Sequence, residues 1–263
     1  MRFIVALADG LNYPLDKGNR QDMHRKLNFP ATNNMRDLGG YTTVSGKQTR
    51  WKSFVRSDRL NLLTPAGTEA VLDYGVRTII DLRYPFEIAR DPNPFARMQT
   101  TARYIHYSLM GKSWDDWMTR APAFGKAYWY PGVVDTCQSE LCELLQLMAG
   151  APEGGILFHC HVGKDRTGIL AMLLLTLAGV DENTVAADYN ASFEYLRPDL
   201  DLHLERTNDP RERANLINGY RCPPEYAYEL LAHIDQRYGG SERYVRHIGL
   251  TEGQVDALKA RLI

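Results

Sequence analysis

The chain has 263 residues, of which 44% are hydrophobic and 24% are charged, the ordinary balance of a globular protein. Its formal net charge of −1 excludes a global field that would draw it to nucleic acid or to an anionic membrane. No apolar segment approaches the roughly 20 residues that span a bilayer, so we expect no integral membrane segment. Its four cysteines are irregularly spaced, which favours free thiols in a reducing, cytoplasmic compartment and leaves signal-independent secretion open.

One domain preceded by an arm is the expected organisation. Residues 1–33 form the N-terminal arm, because their apolar opening stops too soon for a secretory signal and a polar stretch follows. Residues 34–263 contain no linker and are expected to form a single domain. Within it, an aromatic, lid-like segment covers about residues 111–131, where the rings either close over a substrate or fill an apolar groove. A helical C-terminal part covers about residues 184–263.

Strands alternate with helices along the domain. Strands are predicted at residues 52–56, 77–82, 103–109 and 156–160. Helices are predicted at residues 65–74, 132–148 and 169–178. Thr64 and Pro65 supply the cap and the first residue of the first helix, and Gly75 supplies its stop. The alternation predicts an α/β fold with a central, mainly parallel sheet flanked by helices, in which ligands lie at the carboxyl ends of strands.

The most informative part of the chain is residues 159–168, which read His-Cys-His-Val-Gly-Lys-Asp-Arg-Thr-Gly. They lie between a buried strand and a buried helix, so they predict a turn that aims backbone amides and a helix dipole at one point. Such a field suits a phosphate dianion and favours the thiolate form of a cysteine. The planar guanidinium of Arg166 can hold two phosphate oxygens. The sequence therefore predicts that Cys160 attacks a phosphoryl group held by Arg166.

Three other interpretations of this stretch are weaker. A buried cysteine that acts only as a small hydrophobe would leave Arg166 and Lys164 without a role. A zinc site would need four ligands, and His159 and His161 have no further Cys/His pair at a suitable spacing nearby. A nucleotide-binding P-loop would need glycine at position 158 and Ser or Thr at position 165, which are Phe and Asp. No metal and no cofactor are therefore expected.

These residues resemble the signature loop of the cysteine-dependent phosphatases, the protein tyrosine phosphatase superfamily, and most closely its bacterial tyrosine and lipid phosphatase branch. Two further stretches carry the resemblance: residues 34–41 with residues 56–60, and residues 80–83 with Glu87 following. The resemblance implies a protein tyrosine phosphatase-like fold with helical C-terminal and lid elements. It also implies hydrolysis of phosphomonoesters through a cysteinyl-phosphate. It implies phosphotyrosyl protein as the substrate, with dual specificity or phosphoinositide activity as the alternative, and inorganic phosphate as the product.

Each loop residue has an expected role. The phosphate-binding residues are His161, Val162, Gly163, Lys164, Asp165, Arg166 and Thr167. Thr167 can donate its hydroxyl to the thiolate, and His159 orients the loop through hydrogen bonds of its ring. Lys164 would add a second cation to the cradle, which favours substrates with more than one phosphate.

The general acid has several candidates. The superfamily often uses an Asp in a Trp-Pro-Asp context, and this tripeptide does not occur here. Asp165 comes first because it is tethered nearest the sulfur, and Asp81 comes second because it lies at a strand end. Asp115 and Asp116 in the aromatic segment come last. Two other functions stay open: a cysteine-dependent phytase-like phosphatase, and a catalytically inactive module that binds a phosphorylated ligand.

Overall fold

A five-stranded sheet forms the centre of the computed structural model, which describes residues 25–110 and 129–263. The strands are β1 (Arg36–Asp37), β2 (Phe54–Ser57), β3 (Val76–Asp81), β4 (Arg103–His106) and β5 (Gly155–His159). Their order is β1-β2-β5-β3-β4; β1 is antiparallel to β2, and the other three pairs are parallel. The predicted central, mainly parallel sheet is confirmed, and the strand that precedes Cys160 is its middle strand.

Helices surround this sheet. Those of the first half are α1 (Pro65–Asp73), α2 (Pro85–Arg90), α3 (Trp129–Thr136) and α4 (Gln138–Ala149), with a short 3₁₀ turn at Pro94–Ala96. Those of the second half are α5 (Asp165–Leu177), α6 (Glu182–Tyr195), α7 (Arg197–Leu204), α8 (Pro210–Tyr220), α9 (Glu225–Tyr238), α10 (Ser241–His247) and α11 (Glu252–Leu262). The predicted helical C-terminal part is therefore present. None of the described helices is long and apolar enough to cross a bilayer.

Alternating side chains of the sheet belong to two apolar clusters, one on each face. Val55, Ile79 and Leu157 point to one face and pack beside α1. Ile80 and Phe158 point to the other face, where the larger cluster includes α5. Helix α5 is buried on nearly all sides, with residues from 167 to 175 below the surface, and each buried Leu or Ile there contributes about 1.5–3 kcal/mol. The helix that follows the predicted phosphate loop is thus fixed in the core.

Local capping signals were accurate, whereas one helix prediction was wrong. Thr64 caps α1, and its side-chain oxygen accepts from the amide of Gly67 at 3.2 Å. The single helix predicted at residues 132–148 is instead two helices that meet at Cys137. At this break the hydroxyl of Tyr244 donates to the carbonyl of Val134 at 2.7 Å, the carbonyl that a continuous helix would use four residues later.

The described end of the N-terminal arm follows the first sheet edge. Lys26 forms a bridge with Arg36 of β1, and the amide of Leu27 donates to the carbonyl of Met35 at 3.0 Å. The side chains of Leu27 and Phe29 pack against the smaller apolar cluster. Residues 1–24 of the arm, and residues 111–128 of the aromatic segment with Asp115 and Asp116, lie outside the described residues.

Candidate active site

The predicted phosphate loop leaves the carboxyl end of β5 and enters α5 at Asp165. Cys160, the first residue after β5, is only 2% exposed. Gly163 has a φ of +69°, and a β-carbon built on it would lie 2.3 Å from the carbonyl oxygen of Ser57. Only glycine allows the loop to pass this close to the end of β2 in that conformation. The turn predicted from the sequence is therefore shaped by backbone contact between two adjacent strand ends.

Three consecutive carbonyl groups of the loop point away from its concave side. The carbonyl oxygens of residues 161–163 accept hydrogen bonds from the Arg59 amide at 2.9 Å, from the Asn34 side chain at 2.9 and 3.1 Å, and from Arg56 Nη2 at 2.8 Å. In a trans peptide the N–H points opposite to the C=O. The amides that follow these carbonyls therefore point into the loop, which is the arrangement that binds an anion.

A buried charge cluster holds the donors of this network. Asp188 of α6 accepts from Arg36 Nε at 2.8 Å, from Arg56 Nη1, and from the hydroxyl of Tyr41 at 2.9 Å. Burial alone raises the pKa of Asp188, but the two arginines hold it well below its ordinary range. Residues 34–41 and 56–60, which carry part of the family resemblance, therefore support the loop from its outer side. The guanidiniums of Arg36 and Arg56 leave an excess of positive charge next to the anion site.

Arg166 is held in place by the carboxylate of Glu87, for which the sequence predicted no role. Its Nη1 and Nη2 donate to the two carboxylate oxygens of Glu87 at 2.6 and 3.0 Å, and Nη1 also lies 3.4 Å from the Leu82 carbonyl. The ring of Tyr84 lies 4.6 Å below the guanidinium carbon. Within the described residues no acceptor occupies the Nε–Nη2 edge, the edge that can grip two oxygens of a phosphate.

Neighbouring charges keep both Arg166 and Glu87 ionised. Burial lowers the pKa of Arg166, but the charges of Cys160 and Glu87 raise it above its ordinary value. Burial raises the pKa of Glu87, yet the hydrogen bonds and charge of Arg166 bring it below its ordinary value of 4.5. The buried Thr167 hydroxyl has no hydrogen-bond partner among the described residues, so it is free to donate to the sulfur or to an anion.

Replacing Glu87 with glutamine is expected to lower kcat/KM for a phosphotyrosyl peptide by about 10- to 100-fold. The change removes one acceptor of a charge-assisted pair, an interaction of about 1.5–3 kcal/mol, so Arg166 is no longer held with its free edge toward the anion. Steady-state kinetics and the inhibition constant of vanadate measure the effect. Glu252→Gln, whose side chain is 76% exposed, is the matched control and should change neither value. Unchanged vanadate inhibition in Glu87→Gln would contradict this role.

Asp81 is locked in a separate ion pair. Its carboxylate accepts from Arg83 Nε at 2.9 Å and Nη2 at 2.7 Å, and from the hydroxyl of Tyr104 at 3.0 Å. Burial raises the pKa of Asp81, but His159 and Arg83 together hold it far below its ordinary value. An ionised carboxylate with these donors holds no proton to give. Asp81 is therefore a weaker candidate for the general acid than the sequence alone indicated.

His159 and His161 face different partners. The His159 ring bonds the loop, with Nδ1 3.0 Å from the Cys160 carbonyl, and its Nε2 lies 2.9 Å from the Asn93 side chain. His161 Nε2 accepts from Arg59 Nη1 at 3.3 Å, and burial and Arg59 lower the pKa of His161. Within residues 25–110 and 129–263, no three His, Cys, Asp or Glu side chains are grouped to hold a metal ion.

Lys164 has partners that the sequence did not indicate. Its ammonium donates to the Gly219 carbonyl at 2.6 Å and lies 3.4 Å from the Arg221 carbonyl, at the end of α8. The side chain is only 4% exposed. Helix carbonyl ends carry partial negative charge, which explains why a lysine settles there. The ammonium thus joins the loop to α8, whereas the sequence predicted it as a second cation in the phosphate-binding site.

Asp165 occupies the first turn of α5, next to the loop. Its Oδ1 accepts from the hydroxyl of Tyr130 at 2.7 Å and lies 3.4 Å from Lys164 Nζ, and its side chain is 36% exposed. Tyr130, at the edge of the predicted aromatic lid, is instead buried in the core. Asp165 is thus close to the loop, partly accessible and bonded through one of its two oxygens.

Several residues of the site were not predicted from the sequence. Asn34, Arg56 and Asp188 belong to the support behind the loop, and Tyr130 contacts Asp165. One signal was present: an arginine at position 56, in a strand predicted to be buried, requires a buried counter-charge. The sequence did not show that this charge lies 132 residues away. A buried thiol, inward amides and a guanidinium with a free edge together define a site for phosphate esters.

Comparison with known proteins agrees with a site that binds phosphate esters. A sequence model described as the tyrosine phosphatase family matches residues 27–263. The chain is 35% identical over 222 residues to a tyrosine-protein phosphatase of Nostoc commune, which covers 80% of this chain and 74% of the relative. It is 30% identical over 129 residues to the triple specificity protein phosphatase PtpB of Mycobacterium tuberculosis, covering 44% and 46% of the two chains. The chain belongs to the tyrosine phosphatase family and is a tyrosine phosphatase, a phosphoric monoester hydrolase.

Proposed function

We propose that this phosphatase acts through a cysteinyl-phosphate, with Cys160 as nucleophile, Arg166 as anion clamp and Asp165 as general acid. The observation that supports it most is the outward turn of the carbonyls of residues 161–163, which leaves inward amides beside the sulfur. Such a site favours a thiolate and stabilises the charge on a transferring phosphoryl group.

The reaction has two steps. The sulfur of Cys160 attacks phosphorus, the S–P bond forms, and the P–O bond to the tyrosyl oxygen breaks while Asp165 gives that oxygen its proton. Arg166 and the loop amides hold the equatorial oxygens through a loose transition state. A water then attacks phosphorus, its proton goes to Asp165, and the S–P bond breaks to release inorganic phosphate. Thr167 stabilises the sulfur as the leaving group.

A side-by-side substrate panel tests this function. Phosphotyrosyl peptide, phosphoseryl peptide and phosphoinositide vesicles are offered at equal phosphate concentration, and phosphate release is measured. We expect the phosphotyrosyl peptide to have the highest kcat/KM, because a phenolic leaving group is less basic than an alkoxide. Hydrolysis of none of the three would contradict the proposal.

Dual specificity or phosphoinositide activity is the second candidate. Arg59 supports it, because its guanidinium lies beside His161 at the edge of the loop and its side chain is 20% exposed. Its Nη2 also lies 3.5 Å from Asp199 Oδ1, but Arg59 is the more accessible candidate for a second phosphate, since the Lys164 side chain is 4% exposed and is engaged by α8. The relative from Mycobacterium tuberculosis is named a triple specificity phosphatase. Higher kcat/KM for the phosphoinositide than for the phosphotyrosyl peptide would favour this candidate.

Two alternatives have less support. An inactive binding module usually lacks the nucleophile or the arginine, whereas this chain has Cys160 and a well-held Arg166. A phytase-like activity would need a broadly basic pocket, which the net charge of −1 does not indicate. Phytate added to the panel separates the phytase from the tyrosine phosphatase. A cytoplasmic, reducing location is part of the same proposal, because the four cysteines are free thiols in the structure.

Replacing Asp165 with asparagine is expected to slow phosphotyrosyl hydrolysis by about 100-fold or more. An aryl phosphate with an acidic leaving phenol, such as 4-nitrophenyl phosphate, should lose far less, because its oxygen departs without a proton. The basic limb of the pH profile should also flatten. Kinetics on both substrates across pH measure the result.

Two carboxylate variants are the controls for Asp165. Asp81→Asn and Asp115→Asn should show no such dependence on the leaving group, even if they lower overall activity. An equal loss on both substrates in Asp165→Asn would mean that Asp165 only organises Lys164 and the loop. A leaving-group dependence in either control would assign the acid to that residue instead.

A further inference from the structure

A chain of two buried tyrosines ends on Asp165. Tyr130 of α3 and Tyr189 of α6 are 2% and 0% exposed, and their hydroxyl oxygens lie 2.6 Å apart. The Tyr130 hydroxyl donates to Asp165 Oδ1 at 2.7 Å. A tyrosine hydroxyl has one proton, so once Tyr130 gives it to Asp165, Tyr189 must be the donor in the contact between the tyrosines. The hydrogen bonds therefore run in one direction, from Tyr189 through Tyr130 to Asp165.

Both contacts on Asp165 involve the same oxygen. Tyr130 donates to Oδ1, and the Lys164 ammonium lies 3.4 Å from Oδ1. Among the described residues, no side-chain donor is bonded to Oδ2. A carboxyl group whose Oδ1 already receives donors carries its own proton on Oδ2.

We propose that Tyr130 and Tyr189 are positioning residues that fix the Asp165 carboxyl and make Oδ2 the oxygen that delivers the proton. This rests on the proposed function, since it gives Asp165 the role of general acid. The described hydroxyl contacts of the two tyrosines are with each other and with Asp165, so they act through Asp165. Holding a catalytic group in one orientation lowers the barrier because that order is established before reaction.

The described groups around Asp165 keep their own protons. The described titratable groups that interact with Asp165 are Lys164, Tyr130, Tyr189 and Cys222. Burial raises the pKa of Tyr130 and of Tyr189 well above the ordinary value, so both keep their protons as donors. Burial raises the pKa of Cys222 to about 12, and Asp165 raises that of Lys164 although burial lowers it.

Removing the Tyr130 hydroxyl tests the proposal. Tyr130→Phe keeps the ring contacts with Tyr189 and Tyr226, at centroid distances of 5.7 and 5.8 Å. We expect kcat/KM for a phosphotyrosyl peptide to fall about tenfold and that for 4-nitrophenyl phosphate to change less than about twofold. The basic limb of the pH profile should move to higher pH, because a donor that favoured the ionised carboxylate is gone.

Two further variants complete the test. Tyr189→Phe should lower kcat/KM for the phosphotyrosyl peptide about threefold and change that for 4-nitrophenyl phosphate less, since it removes only the second hydrogen bond of the chain. Tyr244→Phe is the matched control: Tyr244 is also buried, but its hydroxyl bonds the Val134 carbonyl, so both substrates should react as in the wild type. Thermal unfolding of each variant shows whether it is folded under the assay conditions, and if Tyr130→Phe is not, the Tyr189→Phe pattern decides.

The outcomes separate this inference from the proposed function. Equal loss on both substrates, or no change on either, in Tyr130→Phe would overturn the positioning role. In the Asp165→Asn background, Tyr130→Phe should add no leaving-group dependence; a further dependence would also overturn it. If Asp165→Asn itself shows no leaving-group dependence, the proposed acid fails and this inference fails with it. If only Tyr130→Phe lacks the dependence, the proposed function stands and the inference alone falls.

Discussion

Cys160→Ser is expected to lose turnover by about 10⁴-fold or more while it still binds inorganic phosphate. A serine hydroxyl is not ionised near neutral pH, so it is a far weaker nucleophile than a thiolate at the same position. Arg166 and the inward amides are untouched, so the anion should still bind. Phosphate release measures turnover, and calorimetric titration with inorganic phosphate measures binding.

A second cysteine provides the control. Cys142 of α4 is a half-buried free thiol outside the loop, and Cys142→Ser should keep wild-type activity. Substantial turnover by Cys160→Ser would rule out the cysteinyl-phosphate mechanism. Loss of phosphate binding in the same variant would show that the sulfur is needed for the anion site and not only for attack.

Features that depend on neighbouring residues could be predicted from the sequence. The cap at Thr64, the middle strand before Cys160 and the turn into α5 all follow from residue types within a few positions of each other. The sequence predicted the glycine at position 163 as one of the phosphate-binding residues. The structure adds a reason for glycine there, because a side chain would collide with Ser57.

Features that depend on distant residues could not be predicted. The helix break at Cys137 coincides with the bond from Tyr244, which lies 110 residues from its acceptor. Lys164 turns to the end of α8, 55 residues away, because carbonyls there accept its ammonium. A lone sequence shows that such a side chain needs a partner, yet several partners of equal chemistry are available and only the packing of helices selects one.

The phosphate loop depends on partners along its outer side. Residues 34, 56 and 59 bind its outward carbonyls, and Glu87 holds the arginine that follows the loop. Geometry of this kind is arranged before the substrate arrives, so little reorganisation is needed during reaction. The three separated sequence motifs are thus parts of one site, and Asp188 joins both halves of one of them, residues 34–41 and 56–60, to α6.

Asp188→Asn is expected to lower the free energy of unfolding by about 3–5 kcal/mol, because it leaves two buried guanidiniums without their counter-charge. Arg36 and Arg56 both bind the carboxylate, and neither can move to solvent, since their side chains are 2% and 0% exposed. Arg56 also holds the Gly163 carbonyl, so phosphate binding should weaken together with stability. Urea unfolding measures the loss. Asp201→Asn, in a pair with Arg197 whose two side chains are each 55% exposed, is the control and should change stability little.

The ion pairs of Asp188 also predict how the unfolding free energy changes at acid pH. The pKa of Asp188 is lower in the folded chain than its ordinary value of 3.8, so the unfolded chain binds its proton first as the pH falls. Its contribution to stability is therefore fully present above that value and is lost progressively below it. Unfolding free energy measured against pH should fall less steeply below pH 3.8 in Asp188→Asn than in the wild type. A variant that is as stable as the wild type at neutral pH, with an unchanged acid limb, would show that the two arginines are compensated by groups other than Asp188.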